Sequence, residues 1–117
     1  MKKSKQQNTA LKMLKGYRAV LWRKTALETV YRANDKALLV CLEQIQLTNE
    51  LVNSLKSGTR KSKKMYWVIH ATFMIDKQLG NVEEILDDIA KKYERIPRIT
   101  YFRLKKQAIK RLIDDYF

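Results

Sequence analysis

The segment from Pro97 to Arg111 places Arg98, Arg103, Lys105, Lys106, Lys110 and Arg111 within four helical turns. On a helix, Arg98, Ile99, Phe102, Arg103, Lys106 and Lys110 form an outward stripe, opposite an apolar stripe of Tyr101, Leu104, Ala108 and Leu112. The guanidinium forks of Arg98 and Arg103 match the paired acceptors on guanine, and Ile99 and Phe102 suit a thymine methyl group. Thr100 joins this predicted contact set. Lys105, Lys106, Lys110 and Arg111 suit phosphates, whose neutralisation supplies sequence-independent affinity. The predicted chemistry is recognition of double-stranded DNA.

Catalytic patterns are missing. Asp87-Asp88 and Asp114-Asp115 are adjacent pairs, and neighbours on a helix point about 100° apart, so neither makes a carboxylate dyad. His70 is the single histidine, with no second ligand at metal spacing; a core or partly exposed position is expected for it. Cys41, beside an apolar stripe, is expected to be buried. Neither a glycine-rich phosphate loop nor a nucleophile elbow occurs. The sequence predicts no enzyme, no cofactor and no bound metal.

The charge balance agrees with a polyanionic partner. The chain has 117 residues, with 25 Lys and Arg against 12 Asp and Glu, a net +13. The charge comes in blocks: +8 over residues 1–34, −1 over 35–58, +4 over 59–80, −2 over 81–96 and +4 over 97–117. A hydrophobic content of 45% is enough for one core, which argues against wholesale disorder. One cysteine excludes an internal disulfide, and no apolar run approaches the roughly 18 residues that span a bilayer. The basic start lacks the apolar core of a signal peptide, so the expected location is the cytoplasm and no membrane partner is expected.

Positioning these residues requires helices. Gly16, Gly58, Gly80 and Pro97 are the whole set of glycines and prolines, too few for an all-β chain. Gly16 falls inside a predicted helix and weakens it; the others, with Asn34-Asp35, mark boundaries: Asn34-Asp35 before one helix, Ser57-Gly58 after it, Leu79-Gly80-Asn81 before another, Ile96-Pro97 before the last. Between them the apolar spacing predicts helices over 9–33, 36–57, 62–74, 82–93 and 98–116. Over 36–57 the predicted core stripe is Leu38, Leu42, Ile45, Val52 and Leu55, with Cys41 and Leu51 beside it. Tyr66 to Ile69 also suits a strand, but the pattern continues past strand length. Trp67 is assigned to the core, and Trp22 to core or dimer contact. The expected fold is all-α, with about five helices: a basic flexible arm over 1–8, a supporting or dimerising helical pair over 9–58, and a helix plus C-terminal helix-turn-helix over 59–117.

The helix-turn-helix would comprise the acidic helix around Ile89-Ala90, a connection Tyr93-Glu94-Arg95-Ile96 and the basic helix from Pro97. Thr100-Tyr101-Phe102-Arg103-Leu104-Lys105-Lys106-Gln107-Ala108-Ile109, with Ile89-Ala90, Tyr66-Trp67-Val68-Ile69 and the Leu14 to Arg18 stretch, resembles the ArpU-type phage transcriptional regulators. That family is akin to region 4 of sigma factors. The resemblance implies a phage or prophage regulator of late or lysis genes that binds promoter DNA through the basic helix. The connection is about one residue longer than a common glycine-containing turn. A homodimer is expected, because one unit reads few base pairs. Two rival readings share the features: a small-terminase-like subunit recognising a DNA packaging site, and an interaction protein that grips RNA polymerase or another regulator through residues 9–55.

Overall fold

A computed structural model describes the backbone of residues 2–30, 36–75 and 77–116, and the side chains of 11–29, 36–75 and 77–114. The elements are α1 (Lys2–Val30), α2 (Lys36–Asn53), α3 (Arg60–Ile69) continued by a π-turn (His70–Met74), α4 (Val82–Lys92) and α5 (Arg98–Tyr116). The fold is all-α, and among the described residues there is no strand. The first helix starts at Lys2, so the backbone of residues 2–8 is helical where an arm is predicted. The predicted cap Asn34-Asp35 lies outside the described residues, as do the Lys2, Lys3 and Lys5 side chains.

α1 and α2 form an antiparallel hairpin. Met13, Tyr17 and Val20 line a cleft together with Ile45 and Thr48, and the Tyr17 hydroxyl donates to Asn49 Oδ1 at 2.8 Å. The buried stripe of α2 is Leu38, Cys41, Thr48, Leu51 and Val52, followed by Leu55. Leu42, expected in that stripe, is exposed instead. At 100° per residue it falls at the edge of the buried stripe, and Thr48 faces inward with its hydroxyl returned to Gln44 O at 2.9 Å.

The turn into α3 depends on a close approach at Gly58. A Cβ there would meet Ser62 Oγ at 2.8 Å and Ser62 Cβ at 2.9 Å. Ser62 is fully buried; it donates to Leu55 O at 2.6 Å and accepts from Arg111 Nη1 at 3.1 Å. Thr59 caps α3 by accepting from Ser62 N at 3.2 Å. One serine therefore joins the end of α2, the start of α3 and the last turns of α5.

The core gathers Leu14 and Tyr17 from α1, Leu51, Val52 and Leu55, then Met65, Val68, Ile69 and Phe73, with Leu86, Ile89, Tyr101, Leu104, Ala108 and Leu112. Arg18 binds the far end of the α3 extension: Nε donates to Ile75 O at 2.8 Å and Nη2 to Thr72 O at 2.9 Å. Carbonyls at a helix C-terminus lack intrahelical donors, so this guanidinium is a cap supplied from another helix. Its charge has a structural role, and partial burial lowers its pKa from the ordinary arginine value. Lys24 is likewise engaged, 3.0 Å from Glu28 one turn on.

Candidate nucleic-acid interface

α4 begins with a reciprocal cap: Asn81 Oδ1 accepts from Glu84 N at 3.0 Å, and Glu84 Oε2 accepts from Gly80 N at 2.9 Å. Glu83 and Glu84 in its first turn and Lys91 and Lys92 in its last complement the helix dipole. The connection to α5 spans residues 93–97. Ile96 is buried within it, and Pro97 O accepts from Tyr101 N at 2.9 Å to start the next helix. The longer connection is thus pinned to the core by its own side chain.

On α5, Tyr101, Leu104, Ala108 and Leu112 are buried as their spacing predicts. α5 packs chiefly on α3 and α1, and less on α4, the helix that a helix-turn-helix pairs it with. Tyr101 shows why: its hydroxyl lies 2.7 Å from Thr72 Oγ1 in the π-turn, while Thr72 donates to Val68 O at 2.6 Å. The predicted outward residues Arg98, Ile99, Phe102, Arg103, Lys106 and Lys110 are all exposed. Ile99 is 79% exposed and Phe102 47%.

Five of the predicted contact residues separate into three groups, beside the exposed Ile99, Phe102, Lys106 and Lys110. Arg98, expected to be free for a base edge, has Nη1 3.5 Å from Glu83 Oε1, and its guanidinium carbon sits 5.9 Å from the centre of the Phe102 ring. Glu83 and Asp87 also hold Arg95, at 3.9 and 3.1 Å. The corner between α4 and α5 is therefore an ion-pair cluster without net charge. Lys105, expected at a phosphate, is half-buried with its ammonium 5.7 Å from the Phe73 ring centre, and Arg111 reaches Ser62.

Thr100 and Arg103 form the third group, with α3. A cleft of about 290 Å³ is lined by Arg60, Lys61 and Lys64 from the start of α3 and by Thr100, Arg103, Leu104 and Gln107 from α5. Glu94 lies near it, 3.3 Å from Arg60 Nη2 and 3.4 Å from Lys64 Nζ. Desolvation raises the Glu94 pKa, but hydrogen bonds from Lys64 and Arg60 outweigh it and hold the carboxyl below its ordinary range. Among the described residues no carboxylate pairs with Lys61 or Arg103, so the cations lining the cleft outnumber Glu94. The Gln107 amide oxygen is buried there without a hydrogen-bond partner. Sequence reading missed the α3 residues, although their block charge of +4 over residues 59–80 signals them. Their approach to Arg103 is a tertiary event.

No metal-ligand cluster of His, Cys, Asp or Glu occurs among the described residues, and no described helix is long and apolar enough to cross a membrane. No family model, curated protein or solved structure matches this chain.

Proposed function

We propose that this chain is a sequence-specific regulator of transcription that binds double-stranded DNA through α5 and the first turns of α3. The observation that carries the reading is the cationic cleft shared by Arg60, Lys61, Lys64 and Arg103, continuous with the exposed face of Ile99, Phe102, Arg103, Lys106 and Lys110. Apolar side chains beside cations on an exposed helix suit a base-pair edge flanked by phosphates. The α3 cations extend the phosphate-binding surface beyond the recognition helix.

The neutral corner of Glu83, Asp87, Arg95 and Arg98 shifts the reading away from the first residue of α5. Base contact then centres on Ile99, Phe102, Arg103 and Lys106. The resemblance to ArpU-type regulators supports a phage or prophage setting and control of late or lysis genes. A protection footprint over the DNA neighbouring the protein's own coding sequence tests the function. A discrete protected site is expected; undetectable affinity at low salt overturns the reading.

A further inference from the structure

α2 presents a second apolar face, opposite its buried one. Lys36, Leu39, Val40 and Glu43 follow one another at three, four and seven residues, and so share one side of the helix. That side points away from the Leu38, Cys41, Thr48 and Val52 stripe that packs inward. Leu39 is 53% exposed and Val40 52%, with Lys36 and Glu43 exposed beside them. Two adjacent large aliphatic residues are left half in water here, flanked by one cation and one anion.

Charge and register both select the occupant. α2 carries one Lys against two Glu, on a chain of net +13, so a second copy meets little repulsion at this helix. Lys36 and Glu43 lie equally far along the helix on either side of the point between Leu39 and Val40. In an antiparallel pair of α2 helices with the two-fold axis at that point, Leu39 packs on Val40 of the partner subunit. Lys36 then meets Glu43 of the partner subunit, and symmetry repeats both contacts. Opposite charges flanking an apolar centre set orientation and register as they do in paired helices.

We infer that the chain forms a two-fold dimer through the first half of α2, with Leu39 and Val40 at the axis and reciprocal Lys36–Glu43 pairs outside it. The inference goes beyond DNA binding and is tested without DNA, so its failure leaves the reading of α5 standing. Sedimentation equilibrium of the full chain is the measurement, with Lys36→Glu, Glu43→Lys and the double variant beside the wild type, each matched in helical circular dichroism. The wild type should show a concentration-dependent dimer. Each single reversal should weaken it roughly tenfold, since symmetry counts each altered pair twice, and the double variant should return close to wild type. A wild type that stays monomeric on the order of 100 µM overturns the proposal. So does a dimer indifferent to the single reversals, or one that the double reversal fails to restore.

Discussion

Arg98, in the first turn of α5, holds Nη1 3.5 Å from the Glu83 carboxylate at the start of α4. The two residues are fifteen apart in sequence and meet because the 93–97 connection brings the start of α5 beside the start of α4. Glu83 thereby places negative charge at the edge of the surface proposed to meet DNA.

Removing that charge should strengthen binding. Glu83→Gln is expected to raise affinity for duplex DNA roughly two- to fivefold at low salt, with the gain shrinking as salt screens it. Arg98→Ala should cost less than Arg103→Ala, because Arg98 is already engaged. Titrations of the three variants by fluorescence anisotropy check this, and an Arg98→Ala loss equal to that of Arg103→Ala would count against it.

Arg103 and Lys110 should separate specificity from general affinity. Arg103→Ala is expected to cost about 1–3 kcal/mol on the footprinted site and to relax base preference there. Lys110→Ala and Lys61→Ala should weaken binding to all sequences alike, each reducing the salt slope by about one. Identical behaviour of all three on specific and random DNA would place base readout elsewhere.

Gly58→Ala tests the junction of α2, α3 and α5. The added Cβ would fall 2.8 Å from Ser62 Oγ, a buried atom already bonded to Leu55 and Arg111. Overpacking of this kind costs about 1–3 kcal/mol, to be read as a lower midpoint in urea.

Tyr101→Phe isolates one buried hydroxyl. Thr72 donates to Val68 O, so Tyr101 donates to Thr72 Oγ1, and the change removes that bond while keeping the ring in the core. Burial raises the Tyr101 pKa, with the Thr72 bond acting against it, so the hydroxyl stays protonated at neutral pH. A loss of about 0.5–1.5 kcal/mol and a Tm lower by a few degrees are expected.

His70 should make stability pH-dependent. Burial lowers its pKa, Lys92 lowers it further, Asp88 partly offsets both and Lys56 adds to the lowering. The unfolded chain therefore binds this proton more readily than the folded one. Stability from neutral His70 is full above the ordinary histidine pKa near 6.5 and falls as pH drops through and below it. Thermal melts between pH 7.5 and pH 5 should show a shallower decline for His70→Gln; these pH limits bracket roughly the range in which histidine titrates.

The sequence by itself determined the helices, because apolar spacing, scarce glycine and caps such as Asn81 act within a few residues of one another. It also determined which side of α5 is apolar: Tyr101, Leu104, Ala108 and Leu112 are at helical spacing whatever covers them. Tertiary structure decided what covers them, α3 and α1 more than α4, since several helices offered compatible apolar faces. It also decided the use of each cation. Arg18, Arg98, Lys105 and Arg103 look alike in sequence, yet one caps a helix, one pairs with Glu83, one lies over Phe73 and one opens onto the cleft with α3. A long cationic side chain takes its role from the partner within its reach, and only the fold brings that partner there.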